Sequence, residues 1–208
     1  MNAKTFFTDE EKKRIEHAVQ AVEKRTSGEI VPMVIDESYD YPRAEILGGG
    51  LLSLALGTTL SWAFFSSSVW AFLPVFAAAY FPFKWLIRAI PPLKRRLIHP
   101  DEIDAEVEEK ALTSFLEEGL HQTRDATGVL ILISLFEHRV QVLADRGIND
   151  KVPPHTWDEI VTTVTRGIHE GRTCDALCNA VERCGDLLVE NFPARADGTD
   201  ELPNLITD

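Results

Sequence analysis

A long run in the middle of the chain carries no charged side chain. Residues 46–83 are all apolar or uncharged, whereas the segments on either side mix apolar with charged positions. An α-helix rises about 1.5 Å per residue, so this run is far longer than one crossing of a hydrocarbon layer about 30 Å thick requires. The pattern therefore predicts a transmembrane helical hairpin, with spans over residues 46–65 and 69–89 and a turn at residues 66–68.

The two flanking halves show the periodicities of helices and strands. Apolar residues recur every three or four positions after Thr8, Pro100, Thr156 and Thr173, which predicts four amphipathic helices. The apolar face predicted for the second helix includes Leu112 and Leu116. A glutamate three residues after Thr8, and another three after Thr156, is the spacing of a capping box. Short apolar runs at residues 29–36, 129–135 and 140–144 predict strands, the second of them central in its sheet.

Helices that alternate with strands predict an α/β fold. Neither half has enough strands to bury its own sheet, so both are expected to form one domain that the hairpin interrupts. The expected division is residues 1–43 as the first part of the domain, 44–92 as the hairpin, 93–193 as the second part and 194–208 as a flexible C-terminal tail.

A cluster of positive charge follows the second predicted span. Its members are Lys84, Arg88, Lys94, Arg95 and Arg96, and no acidic residue lies among residues 84–96. Lysine and arginine near span ends are retained on the cytoplasmic side, so both soluble segments are expected in the cytoplasm. These five residues are also candidates for the membrane interface. They either set the topology alone or in addition bind anionic lipid headgroups.

Overall charge and cysteine content narrow the classes of partner and compartment. The net charge of −12 disfavours contact with a phosphate backbone, so nucleic-acid binding is not expected. Residues 1–29 are heavily charged and show no apolar core of a signal peptide. Three cysteines, an odd number, fit a reducing compartment better than a disulfide framework.

Small residues recur along the first predicted span. Gly49, Ser53, Gly57 and Ser61 are spaced by four, which places them on one face of a helix. Such a face lets a second helix approach closely in lipid. The second span is the expected partner, and a partner protein or a second copy of the chain is the alternative.

One turn gathers oxygen ligands. Asp145, Asn149 and Asp150 follow the last predicted strand, where α/β sheets tend to place ligands, and Glu29 at the first strand is the expected fourth contributor to a calcium site. The alternative is turn chemistry, in which Asp145 caps the backbone, Gly147 takes a positive φ and the other polar residues start a helix.

Several motifs together resemble the TPM domain family. They are TSGEIV at residues 26–31, GVLILIS at 128–134, VLADRGIN at 142–149, WDEI at 157–160 and ELPN at 201–204. The chain is similar in particular to bacterial members that carry a hydrophobic hairpin inside the domain. The resemblance implies an α/β/α sandwich around a small mixed sheet, and family roles in assembling or maintaining membrane complexes. It also implies calcium binding and a weak acid phosphatase activity, which have been attributed to some plant relatives.

The residues themselves show no motif of an established phosphatase. Cys174, Cys178 and Cys184 fall on a helical pattern, without an arginine at the spacing of a cysteine phosphatase, and are interpreted as core residues. We therefore expect a bacterial inner-membrane protein that binds or stabilises a membrane protein or complex without catalysis. A metal-dependent acid phosphatase and an anionic-lipid binding module are the alternatives. The oligomeric state is not indicated.

Overall fold

The computed structural model describes residues 2–64, 68–153, 155–194 and 202–208. The predicted turn at residues 66–68 lies largely outside them; Ser68 is described and directly precedes the second span. The helices are α1 (Asp9–Glu23), α2 (Pro42–Phe64), α3 (Val69–Ala89), α4 (Pro91–Arg96), α5 (Pro100–Glu117), α6 (Arg146–Asn149), α7 (Thr156–His169) and α8 (Thr173–Asn191). The strands are β1 (Glu29–Ile35), β2 (Gly128–Ser134), β3 (Arg139–Ala144) and β4 (Ile206–Thr207).

The described strands form one mixed sheet in the order β3-β2-β1-β4. β1 and β2 are parallel, with Glu29 opposite Gly128 and Ile35 opposite Ser134, whereas β2 and β3 form an antiparallel hairpin. Every residue of β1 and of β2 is buried, as the apolar runs predicted for strands covered on both faces. The predicted α/β fold with a small mixed sheet is confirmed.

One face of the sheet packs on α1, α8 and α7, and α8 lies between the other two. Their shared core includes Ile30, Val34, Val129 and Ile131 from the sheet. The alternate strand positions point to the other face, where the 3-10 turn Leu120–Gln122 contacts β2. On α5, Val107, Ala111 and Phe115 are buried. Since every residue of β1 and β2 is buried, both faces of these two strands are covered.

Two local predictions are corrected by the structure. The C-terminal tail was expected to be flexible, but among its described residues Ile206 and Thr207 pair with Met33 and Val34 as the edge strand β4. Thr156 is the first residue of α7 and not its cap: its hydroxyl donates to the carbonyl of Pro153. The cap position belongs to His155, whose φ is 70°.

The chain separates into two compact units. Residues 1–38 and 104–208 form the α/β unit, and residues 39–103 form a helical unit. Within the helical unit α2 and α3 pack along each other, and α4 contacts both. Both α2 and α3 are long and apolar enough to cross a membrane. Their large apolar side chains point outward, with Trp62 75%, Trp70 85% and Trp85 70% exposed.

Candidate functional site

The predicted metal turn is a short capped helix. Asp145 is the N-cap of α6: its Oδ1 accepts from the backbone N–H of Arg146 at 2.6 Å, and its own N–H donates to the carbonyl of Gly128 at 2.9 Å. The other carboxylate oxygen, Oδ2, is buried and has no hydrogen-bond partner in the described part of the chain. The Oδ1 atom of Asp145 thus caps the backbone of α6, and the Oδ2 atom is shielded from solvent.

Asn149 and Asp150 are engaged within the turn. The side-chain Nδ2 of Asn149 donates to the carbonyl of Ala144 at 2.7 Å, and its Oδ1 accepts from the indole N–H of Trp157 at 2.9 Å. Asp150 lies 3.6 Å from Arg146 in an exposed ion pair. Asn149 therefore ties α6 to α7, and Asp150 faces solvent.

Glu29 and Asp145 lie at the same end of the sheet. Glu29 is opposite Gly128 in the parallel register, and Asp145 follows the β3 residue that pairs with Val129. The two acids thus flank Gly128 on neighbouring strands, about 10 Å apart at their Cα atoms for strands spaced about 4.8 Å. The sheet brings these two candidates to one edge, and it places Asn149 and Asp150 in the turn beyond it.

The glycine of this turn is required by space and not by backbone conformation. Gly147 lies within α6 and is absent from the positive-φ residues of the described chain, which corrects the expectation of a positive φ there. A Cβ at this position would lie 2.5 Å from the carbonyl oxygen of Ala126 and 2.8 Å from that of Asp125. Two backbone carbonyls therefore approach the turn from the loop before β2.

A calcium ion takes six to eight oxygen ligands. The buried Oδ2 of Asp145 is the type of donor that calcium prefers. Among the described residues, however, no three His, Cys, Asp or Glu side chains are arranged to hold a metal. The four candidates as placed here do not fit a complete calcium site, and calcium binding stays a prediction.

A second polar cluster lies at the opposite end of β1 and β2. Glu137 is fully buried; its Oε1 accepts from the backbone N–H of Ser38 at 2.9 Å, and its Oε2 accepts from the hydroxyl of Ser134. The hydroxyl of Ser38 donates to that of Ser134 at 3.2 Å. This cluster was not predicted from the sequence. A serine that ends an apolar strand, followed three residues later by a glutamate, was the available signal.

The three cysteines are not poised for nucleophilic chemistry. All are free thiols on α8, and Cys174 and Cys184 are buried. Burial raises the pKa of Cys178 to about 11 and that of Cys184 to about 12, and it also raises the pKa of Cys174. Since the thiolate is the nucleophile, these groups are unreactive near neutral pH. Their interpretation as core residues is confirmed for Cys174 and Cys184, whereas Cys178 is half-buried.

An open cavity of about 420 Å³ lies between α7 and α8 in the α/β unit. Its walls combine apolar residues with charged ones, including an ion pair of 3.3 Å between Arg183 and Glu159. The lining residues are Pro153, His155, Thr156, Glu159, Ile160, Arg183, Asp186, Leu187 and Glu190. None of the four metal candidates is among them, so the cavity and the acidic turn are separate features.

In the helical unit the small-residue face of α2 is buried. Ser53 is fully buried, and Ser61 is 5% exposed. A Cβ on Gly49 would lie 3.0 Å from the backbone of Lys84, and a Cβ on Gly57 would lie 2.9 Å from the ring of Phe72. The four small residues therefore face α3 of the same chain, where the aromatic side chains of Phe72 and Phe76 fill the space.

The basic residues at the end of α3 and on α4 are of two kinds. Lys94 is 5% exposed and its Nζ lies 3.5 Å from Oε1 of Glu45, which is 6% exposed. Arg88 and Arg96 are exposed, and Lys84 and Arg95 are half-buried. From the sequence, all five cations were predicted to lie at the membrane interface. In the structure, Lys94 is instead buried within the helical unit.

The mixed sheet and its helices form an α/β domain. An apolar two-helix hairpin interrupts the chain of this domain between β1 and β2. A family model described as "TPM domain" matches residues 96–187, which confirms the resemblance to that family over this part of the chain. A search of curated proteins finds no match.

A solved structure resembles the chain over nearly its whole length. It is the NMR structure of the BA42 protein from the psychrophilic bacterium Bizionia argentinensis, and the two chains superimpose with a TM-score of 0.61. The match covers 97% of this chain and 94% of BA42, at 23% sequence identity. At this identity the likeness concerns the fold.

Proposed function

We propose that the chain is a membrane-anchored TPM domain that binds and stabilises a membrane protein or complex without catalysis. The observation that carries the proposal is the place of the hairpin. Residues 36–127, which include both apolar helices, lie between two strands that pair directly as β1 and β2. The apolar helices are therefore an insertion within the α/β domain, connected to it at both ends, and not an extension at one terminus. An anchor in this position suits a protein that acts at a membrane.

The surface of α5 supports a binding role. Leu112 and Leu116, one helical turn apart, are 54% and 49% exposed, although the sequence pattern assigned them to the buried face. Exposed apolar side chains that lie next to one another favour protein contact. A phosphatase that used the acidic turn would place it in a cleft. Here the acidic turn does not line the described cavity, and the thiols of Cys178 and Cys184 are protonated at neutral pH.

Bacterial inner-membrane location and a cytoplasmic α/β unit are part of this proposal. Its test is thiol labelling of the full chain in sealed membrane vesicles. Lys13→Cys and Glu182→Cys place a thiol on exposed positions of α1 and α8, one from each half of the sequence. Both should react with an impermeant maleimide only in inverted vesicles. Labelling of the two from opposite sides would contradict the hairpin, and labelling of both from the periplasmic side would contradict the orientation.

The partner-binding part has its own test. A photo-crosslinking residue at Leu112 or Leu116 should give one adduct of defined mass in native membranes, and Thr113 on the same helix is the matched control position. The adduct partner, once identified and purified, should bind the full chain directly. Leu112→Asp with Leu116→Asp should weaken that binding at least tenfold, and Thr113→Asp should not. Equal binding by the parent and both variants would remove α5 as the contact.

A metal-dependent acid phosphatase remains the second candidate, because Asp145 holds a buried carboxylate oxygen without a hydrogen-bond partner in the described chain. Hydrolysis of a phosphomonoester by the purified full chain that requires added Ca²⁺ and is lost in Asp145→Asn would favour it. A rate equal to that of Asp145→Asn would reject it.

A further inference from the structure

Four basic side chains gather where the hairpin ends. Lys84 and Arg88 lie on the last turns of α3, and Arg95 and Arg96 end α4. Among the described residues, no carboxylate lies within ion-pair distance of any of these four. Lys94 is the exception in this segment, because Glu45 neutralises it in the interior of the helical unit. The local charge available to a ligand is therefore four positive charges.

Packing fixes which side chains of α4 face inward. Gly48 on α2 lies so close to Ile87 and Leu97 that an added Cβ would approach their side chains to 2.3 and 2.6 Å. This contact and the pair between Lys94 and Glu45 hold α4 against α2 and α3. Arg95 and Arg96 follow Lys94 at about 100° and 200° around the helix axis, so neither shares its inward direction. Arg95 is half-buried and Arg96 is exposed. The arginines are thus presented by a docked helix.

Apolar side chains accompany these charges. Trp85 is 70% exposed, Leu97 43%, and Leu86 and Ile90 each 37%. A ligand that satisfies both sets of groups carries a negative group joined to a hydrocarbon part. Inorganic phosphate has the negative group but no hydrocarbon part. A zwitterionic lipid has the hydrocarbon part but no net negative charge.

We propose that Lys84, Arg88, Arg95 and Arg96 form a binding surface for the headgroups of anionic phospholipids, and that Lys94 takes no part in it. The proposal rests on the membrane anchorage proposed above. Arginine suits the role because its planar guanidinium binds phosphate oxygens in pairs. A basic residue near an anionic surface strengthens binding by about fivefold, so removing two should weaken the lipid preference about 30-fold.

The experiment measures quenching of Trp85 in the detergent-solubilised full chain by brominated lipids. Trp62→Phe and Trp70→Phe remove the two tryptophans at the other end of the hairpin; Trp157 lies in the α/β unit. Brominated phosphatidylglycerol should quench Trp85 at far lower concentration than brominated phosphatidylcholine. Arg95→Gln with Arg96→Gln should reduce this preference about 30-fold. Arg95→Lys with Arg96→Lys, which keeps both charges, should retain most of it.

The matched control is Lys13→Gln with Lys24→Gln, which removes two exposed charges from the α1 region and changes the net charge equally. This control variant should leave the lipid preference unchanged. An equal loss of preference in the control would show that the net charge of the chain, and not this local surface, determines it, and would overturn the proposal. Equal quenching by both lipids in the parent would also overturn it while leaving the anchorage intact. Absence of quenching by either lipid would contradict the anchorage itself. Displacement of phosphatidylglycerol by equimolar inorganic phosphate would show a phosphate site and overturn the lipid assignment.

Discussion

Glu137 and Ser38 are joined by a hydrogen bond of 2.9 Å between a fully buried carboxylate and a backbone N–H. Ser38 is the last residue of the α/β unit before the chain enters the helical unit. The same carboxylate also accepts from Ser134 at the end of β2. The carboxylate of Glu137 thus connects the last residue of β2 with the segment that follows β1.

Replacing Glu137 should destabilise the α/β unit. Glu137→Ala removes the acceptor of the buried Ser134 hydroxyl and of the partly buried Ser38 N–H, which costs about 1–3 kcal/mol of unfolding free energy. Glu137→Gln keeps one acceptor oxygen and should cost less. Urea unfolding of the full chain in micelles, followed by circular dichroism, measures both against Glu182→Gln, an exposed carboxylate on α8. An unfolding free energy for Glu137→Ala equal to that of the control would show that the hydrogen bonds do not contribute.

The α2 glycines should differ sharply in tolerance. Gly57→Leu places a large side chain where a Cβ alone would already lie 2.9 Å from Phe72, so α2 and α3 should separate. Gly50→Leu is the matched control, because nothing lies within 4 Å of its added Cβ. Cross-linking between Ser61→Cys and Ser68→Cys, whose parent side chain and carbonyl are 2.9 Å apart, reports the proximity. Equal cross-linking in both leucine variants would mean that the small residues do not determine the packing.

The pair between Glu45 and Lys94 should show strong coupling. Removing one partner leaves the other charge in a largely water-free site, which costs about 3–5 kcal/mol. Lys94→Met should therefore lower the melting temperature of the helical unit markedly. The double variant Glu45→Gln with Lys94→Met should recover most of the loss. Additive effects in this double-mutant cycle would show that the two side chains do not interact.

The buried thiols predict falling stability at high pH. Burial raises the pKa of Cys184 to about 12 in the folded chain, whereas the unfolded thiol ionises near its ordinary value of 9.0. Between these values the unfolded state binds fewer protons, so the unfolding free energy decreases as pH rises from about 9 towards 12. Cys184→Ala should flatten this slope, measured by urea unfolding at each pH. A slope identical to that of the parent would contradict the shift.

Calcium should raise the melting temperature if Asp145 binds it. Asp145→Asn keeps the cap oxygen towards Arg146 and removes the charge, so it tests the metal with little change to the turn. The expected result is a Ca²⁺-dependent rise in the parent and none in Asp145→Asn, with Glu182→Gln behaving like the parent. Calorimetric melting at several millimolar Ca²⁺ measures this. No rise in the parent would reject a site of useful affinity.

The sequence predicted structure correctly where the interactions involve residues that are close together in the chain. Thr8 and Glu11 form the predicted capping box, because both partners lie within one helical turn. The same spacing failed at Thr156, where His155 adopts a left-handed conformation and displaces the cap by one residue. Periodicity alone assigned Leu112 and Leu116 to the core, although each is about half exposed.

The site was less predictable because it depends on distant contacts. The burial of Glu137 requires Ser38, which lies 99 positions before it in the chain. The enclosure of Lys94 requires Glu45 on another helix, and nothing near Lys94 in sequence distinguishes it from Arg95. Charge pattern located the basic cluster, but only the folded helices show which cation is neutralised.

The insertion of the hairpin between β1 and β2 has a consequence for biosynthesis. The ribosome releases β1 before either apolar helix, and β1 gains its parallel partner only after both helices and α5 have been made. The first strand therefore stays unpaired, with its apolar residues exposed, until both apolar helices and α5 have been made. During that interval β1 is open to chaperones and proteases, which act on exposed apolar surface and unpaired strand edges.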